Sequence, residues 1–240
     1  MSELSQSEQK KVVATHAIDT LIERGLIKSG MKIGLGTGST AMPAVERLAQ
    51  RISDGTLRDV KAVATSFQTS IACEDLGIPV YELGSREIAG SLDLAIDGAD
   101  EISPEGHLIK GGGAAHLREK LVEYNAAQLV IIADESKAVA NLGTKFPLPV
   151  EVLQQARVPV TAKLAALGAT VKVREGVKKA GPVITDNGNI ILDCTWEKPV
   201  DAAKLEIEIN QIVGVIENGF FTQRKSIVFI SHKDGSVEER

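Results

Sequence analysis

Apolar residues in the first half of the chain fall into short unbroken runs separated by segments of helical period. The runs at 32–35, 60–64, 78–83, 92–96 and 129–133 read as strands. They are continuous rather than alternating, as expected for strands buried on both faces of a parallel sheet. A helix is predicted over 7–24, where Val12, Val13, Ala17, Leu21 and Ile22 recur on one face and Gly25 can close the end. Further helices are predicted over 40–51, 68–76 and 115–124. This alternation predicts an α/β fold, a doubly wound, mostly parallel sheet of Rossmann-like type.

After Pro147 the rhythm changes. A strand at 149–153, a helix at 160–167 ended by Gly168 and a strand at 170–174 come first. Residues 183–184 and 189–193 then flank Asp186-Asn187-Gly188, a hairpin signal. A helix at 202–212 and a strand at 214–217 follow. The order β-α-β-β-α-β predicts a smaller ferredoxin-like α+β domain. The apolar run 225–231 is expected to return to the first sheet. The expected division is therefore 1–146 plus 219–240 for the larger domain and 147–218 for the smaller one.

In an open parallel sheet, ligands bind beyond the carboxyl ends of the strands. Four predicted strands end in polar motifs: Gly36-Thr37-Gly38-Ser39-Thr40, Thr65-Ser66-Phe67-Gln68-Thr69, Asp97-Gly98-Ala99-Asp100 and Asp134-Glu135-Ser136-Lys137. A parallel sheet sets all four on one rim. The first motif offers backbone amides at a helix N-terminus, an anion site in type. It also matches a loose dinucleotide fingerprint, but the next strand runs into Ala64-Thr65-Ser66-Phe67 without the acid that would hold a ribose. Asp97, Asp100 and Glu101 form an acidic cluster suited to proton transfer, or in type to a hard cation. The run Lys110-Gly111-Gly112-Gly113-Ala114-Ala115 places a cation beside a backbone able to approach a ligand closely, with Glu119 just beyond on a helix. A solvated loop is the usual fate of a lysine, but beside three glycines and a carboxylate cluster Lys110 reads as a stabiliser of developing negative charge; on helix position alone Glu119 reads as a surface glutamate.

Composition narrows the function classes. Aromatic residues make up only 3% and the net charge is −5, which argues against a nucleic-acid partner. No apolar run is long enough to span a bilayer, so no membrane partner is expected. Two cysteines, Cys73 and Cys194, lie in no Cys/His cluster, so no zinc site is expected and the thiols read as reduced. The first residues lack the basic-then-apolar pattern of a secretion signal, which predicts a cytoplasmic protein.

These motifs, in this order, resemble ribose-5-phosphate isomerase of the A type over nearly the whole chain. Phe146-Pro147-Leu148-Pro149-Val150-Glu151-Val152 and Thr185-Asp186-Asn187-Gly188-Asn189 extend the resemblance. It implies interconversion of D-ribose 5-phosphate and D-ribulose 5-phosphate in the pentose phosphate pathway, with no metal and no organic cofactor, by a homodimer or homotetramer. It implies Glu119 as catalytic base. Thr37, Gly38, Ser39, Thr40, Asp97, Gly98, Ala99, Asp100, Lys110, Gly111, Gly112, Gly113 and Lys137 would line the substrate site. A family phosphate contact falls near Lys10, and His116 stands where an apolar residue is expected. The chemistry suits these groups: one carboxylate can shuttle a proton between C1 and C2 of a cis-enediol while Lys110 stabilises the oxyanion. Asp97 is the candidate for ring opening, and Asp100 for relaying protons between oxygens. Two other readings remain: a non-catalytic sugar-phosphate sensor, and a dinucleotide-dependent enzyme.

Overall fold

The structure, a computed structural model, describes residues 3–240. Its contacts divide the chain into two compact units. The larger comprises Met1–Gly98, Arg118–Ser136 and Arg224–Arg240. The smaller comprises Ala99–Leu117 and Lys137–Gln223. By contacts, then, residues 99–117, 137–146 and 219–223 go with the smaller unit, whereas reading along the chain groups them with the larger domain.

The larger unit is built on a six-stranded sheet. Its strands are β1 (Lys32–Leu35), β2 (Lys61–Ala64), β3 (Leu92–Asp97), β6 (Ala126–Asp134), β12 (Ser226–Ser231) and β13 (Val237–Glu239), in the order β13-β12-β6-β3-β1-β2. Every neighbouring pair is parallel except β12 with β13. The run at 225–231 thus returns to this sheet as expected. The helices are α1 (Gln6–Glu23), α2 (Ala41–Ser53), α3 (Phe67–Asp75) and α4 (His116–Tyr124). A capping box starts α1: the Ser5 side chain accepts from the Glu8 amide while the Glu8 carboxylate accepts from the Ser5 amide. Val13, Ala17 and Leu21 of α1 and Val45 and Leu48 of α2 share one core with Ile33, Leu94, Val130, Ile132 and Phe229 of the sheet. The segment 78–83 is not a strand. It makes a single bridge between Val80 and Ala62 on the sheet's edge. Pro79 lacks the N–H a continuing ladder needs, and its carbonyl accepts from the Ala62 amide instead.

The smaller unit contains β7 (Leu148–Val152), α5 (Arg157–Ala166), β8 (Thr170–Val173), β9 (Ile190–Thr195), α6 (Ala202–Asn210) and β10 (Val215–Asn218). Its four strands form an antiparallel sheet in the order β10-β7-β9-β8, the ferredoxin-like arrangement. Residues 183–184 do not form a strand. Ile184 makes one bridge to Ile190, and the partners of β9 are β7 and β8. The turn at 185–189 is held from below by Glu151, which is fully buried and accepts from Thr185 Oγ1 (2.8 Å), Asn187 Nδ2 (3.1 Å) and Asn189 Nδ2 (2.8 Å). Two motifs of the sequence thereby meet in a structural clasp. A further sheet of three two-residue strands, β4 (Glu101–Ile102), β5 (Leu108–Ile109) and β11 (Phe220–Phe221), carries no periodic signal in the sequence.

Candidate active site

Numbered by chain order alone, the five parallel strands of the larger unit lie in the order 2-1-3-4-5. Strand order reverses between β1 and β3, and the crevice beyond their carboxyl ends is where such sheets hold ligands. Gly36 and Thr37 follow β1 there, and Asp97 ends β3. Asp97 is buried, and its Oδ1 accepts from the amides of Thr37 (3.1 Å) and Gly98 (2.6 Å). Gly36 is required by this contact: a Cβ at position 36 would lie 1.9 Å from Asp97 Oδ1. The Thr37 hydroxyl donates to Ser66 Oγ (2.7 Å) and lies 2.7 Å from Thr65 Oγ1, while Thr69 Oγ1 donates to the Gly36 carbonyl (2.7 Å). Gln68 Oε1 accepts from the Gly38 amide at 3.1 Å. The second rim motif therefore braces the first. Hydroxyls directed at Thr37 occupy the end of β2, where a dinucleotide fold would place its ribose-binding acid.

Ser39 is exposed and Thr40 half-buried at the start of α2. No side chain caps this helix; in its first turn the Met42 amide donates to the Gly38 carbonyl at 3.0 Å and Pro43 has no N–H to offer. Lys10, on α1, donates its ammonium to Ser39 Oγ at 2.9 Å. A cation and a helix N-terminus thus lie together, the arrangement that favours a phosphate.

Glu119 is no surface glutamate. It is 4% exposed, and with Asp97 (1%) and Glu123 (0%) it forms a set of buried carboxylates, one oxygen of each lying within 4.8 Å of the others. Glu123 was not singled out from the sequence. Its signal is spacing: residues four apart on a helix share a face, so Glu119 and Glu123 of α4 point the same way. In donor type the set is all oxygen, suited to a hard cation or to holding protons among neighbouring carboxylates. Glu101 is fully buried and accepts from the amides of Gly143 (2.5 Å), Lys145 (2.5 Å) and Phe146 (2.8 Å), so it orders its own loop. Within the larger unit, the carboxylates beside Asp97 come from α4.

The smaller unit carries Ala99, Asp100, Lys110, Gly111, Gly112, Gly113 and Lys137. Lys110 is 2% exposed, so the solvated reading fails for it too; its ammonium lies 5.5 Å from the centre of the Phe221 ring. Its backbone amide donates to the Gly219 carbonyl at 2.9 Å. Asp100 Oδ2 accepts from the Gly112 amide at 2.7 Å, and a Cβ at position 112 would lie 2.7 Å from Asp100 Oδ1. At Gly112, then, the missing side chain admits a carboxylate of the chain itself. His116 is fully buried, with Nε2 3.3 Å from the Glu217 carbonyl oxygen, a packing role. Lys137 closes a short 3-10 turn, Glu135–Lys137, and is half-buried.

Known proteins are similar to this chain in sequence and in fold. Residues 61–235 match the family model of ribose 5-phosphate isomerase A (phosphoriboisomerase A). The ribose-5-phosphate isomerase A of Treponema denticola is 58% identical over 238 residues, which cover 98% of this chain and 100% of that protein. That of Thermosynechococcus vestitus is 45% identical, with 100% of this chain and 98% of that protein covered. A D-ribose-5-phosphate isomerase solved in complex with phospho-erythronic acid superposes with a TM-score of 0.91 at 39% identity, covering 99% of this chain and 100% of that one. The ribose 5-phosphate isomerase A of Methanocaldococcus jannaschii superposes with a TM-score of 0.88 at 42% identity, covering 98% and 100%. Relatedness of this degree over the full length leaves one conclusion: the chain belongs to the ribose 5-phosphate isomerase A family.

Proposed function

We infer that this protein is an aldose–ketose isomerase that interconverts D-ribose 5-phosphate and D-ribulose 5-phosphate. Family membership supports the reaction, and one structural observation supports the residue roles: Glu119 and Asp97 are buried together at the strand-order reversal of the sheet. In the aldose-to-ketose direction the Glu119 carboxylate takes the proton from C2, and the electron pair forms the C1–C2 double bond of a cis-enediolate. Glu119 then returns the proton to C1. The charge that develops on oxygen is stabilised by the Lys110 ammonium. Asp97 serves ring opening, and Asp100 the exchange of protons between O1 and O2. Glu123, on the same helix face as Glu119, keeps a second carboxylate beside the base and favours its holding the abstracted proton.

The N-terminus of α2, Ser39 and Lys10 suit the 5-phosphate, whose binding orients the reacting end. Lys137 and the glycine loop complete the assigned contacts. A relative binds phospho-erythronic acid, a four-carbon sugar-acid phosphate whose planar carboxylate has the charge and shape of the enediolate. A homodimeric or homotetrameric assembly and a reducing, cytoplasmic setting belong to this reading; the two free, buried cysteines agree with the latter. Among the described residues no helix is long and apolar enough to cross a membrane.

The test is a coupled assay of ribulose 5-phosphate formation from ribose 5-phosphate without added nucleotide. Turnover is expected. Binding of the sugar phosphate without turnover would instead identify a sensor, and a requirement for nicotinamide nucleotide would identify a dehydrogenase.

A further inference from the structure

The roles assigned above leave unused an arginine that touches the glycine loop. Arg174 directly follows β8, and Asp193 lies within β9 beside it. The Arg174 guanidinium makes a two-pronged pair with Asp193, Nε to Oδ2 at 2.9 Å and Nη2 to Oδ1 at 2.5 Å. Its remaining nitrogen, Nη1, donates to the carbonyls of Gly111 (2.8 Å) and Gly112 (3.1 Å). The backbone of Arg174 is itself tied down: its amide donates to the Ile191 carbonyl, and its carbonyl accepts from the Val183 amide, both at 2.9 Å. Arg174 is therefore carried on the sheet, and Asp193 sets the plane of its guanidinium.

The contacts fall on particular peptide units. The Gly111 carbonyl and the Gly112 amide belong to one trans peptide, so they point in opposite directions. Arg174 holds the carbonyl and Asp100 Oδ2 accepts from the amide, at 2.7 Å. That peptide plane is pinned at both ends. In the next peptide Arg174 holds the Gly112 carbonyl, which turns the Gly113 amide away from the guanidinium. Three consecutive glycines have wide conformational freedom, so a loop built from them keeps one shape only when something external holds it.

We propose that Arg174, oriented by Asp193, is a positioning residue for the isomerisation: it fixes the peptide planes of Gly111 and Gly112 and so sets where the loop presents Lys110. The inference rests on the role given to Lys110. A lysine cannot replace the arginine, because an ammonium lacks the planar fork that serves a carboxylate and two carbonyls at once.

The experiment measures kcat and KM of the full chain for Arg174→Lys, Arg174→Ala, Asp193→Asn, Lys110→Met and the double variant Arg174→Lys/Lys110→Met, with thermal unfolding of each. Arg174→Lys is expected to fold and to lose about 10- to 10²-fold in kcat, the scale of a small misplacement of a reacting group. KM should change by no more than about 3-fold, since ground-state binding is not the target. Asp193→Asn should lower kcat in the same direction. The double variant should be no slower than Lys110→Met alone, because the arginine acts through the lysine. Millimolar guanidinium should restore rate to Arg174→Ala, and methylammonium should not. The proposal is overturned by a folded Arg174→Lys enzyme with wild-type kcat, by losses that multiply in the double variant, or by a folded Arg174→Ala that guanidinium does not rescue. Should Arg174→Ala fail to fold, the comparison of Arg174→Lys with the double variant decides. Wild-type kcat in Lys110→Met would overturn the role of Lys110 itself, and would be visible separately from any result at Arg174.

Discussion

At the scale of single residues, burial decides what sequence left open. On helix position alone Glu119 reads as a surface glutamate, and only its neighbours distinguish Lys110 from a solvated loop lysine, yet they are 4% and 2% exposed. A carboxylate and an ammonium are taken out of water only against a substantial cost, so their burial needs a reason in paired groups or in chemistry. Glu119→Gln keeps the shape and removes the base. It is expected to fold and bind ribose 5-phosphate but to lose at least ~10²-fold in rate, the low end for general-base catalysis. It should also fail to exchange the C2 proton of bound substrate with deuterated solvent. Near-normal exchange would transfer the base role to another carboxylate, Asp97 first. The set Asp97, Glu119 and Glu123 could in type hold a hard cation, and chelation separates that role from proton transfer. Dialysis against EDTA is expected to leave kcat unchanged; activity that vanished and returned with a divalent ion would assign the carboxylates to the cation.

At the scale of elements, the strand ends of the larger unit act together because the hydroxyls following β2 brace the loop following β1. Ser66 does this from the N-cap of α3, where its Oγ accepts from the Thr69 amide at 3.2 Å and from the Thr37 hydroxyl at 2.7 Å. Ser66→Ala removes the cap and one partner of Thr37. Denaturant unfolding should show a loss of about 1 kcal/mol, the usual value of an N-cap. The change should also raise KM more than it lowers kcat, because Thr37 carries a proposed binding loop and no proton. An unchanged unfolding midpoint would mean that neighbouring hydroxyls take over the cap. Elements also explain where reading along the chain failed. The run at 78–83 has the apolar content of a strand, but Pro79 breaks its ladder at an edge. The two-residue strands β4, β5 and β11 are shorter than any period, so only pairing between distant segments reveals them.

At the scale of the whole molecule, pH dependence follows from two kinds of group. Burial works to raise the Asp19 carboxyl, but hydrogen bonds from Arg47 and Arg51 outweigh it and hold the group below the ordinary range. A carboxyl with a depressed folded value contributes stability that is present above its unfolded value of 3.8 and lost as pH falls further, through the folded value. Burial pushes the Cys73 thiol up to about 11 and, with a smaller contribution from the Asp193 charge, the Cys194 thiol to about 12. Raised thiols contribute stability that is complete below their unfolded value of 9.0 and lost as pH rises toward 11 and 12. From these groups the unfolding midpoint is expected to fall as pH drops below 3.8 and as it rises above 9.0 toward 11 and 12. At pH 8 a thiol reagent should react with neither cysteine until the protein unfolds, since both are fully buried. Rapid modification of the native protein would contradict the burial of these cysteines.

The sequence by itself determined the fold class, the α/β alternation with its ferredoxin-like insert, and the identity of the rim motifs. These are written locally: unbroken apolar runs mark buried parallel strands, and glycines and acids at strand ends mark a ligand-binding rim. Only the tertiary structure decided which acids meet. Asp97, Asp100 and Glu101 are near neighbours in sequence, yet Glu101 turns to the amides of residues 143, 145 and 146 while Asp97 lies with Glu119 and Glu123. It alone also placed Arg174 on the carbonyls of Gly111 and Gly112, 62 to 63 residues away along the chain. Local pattern records which face of an element is apolar. Which polar groups converge there is set by strand order and crossover, through hydrogen bonds between segments whose spacing in sequence carries no trace of the contact.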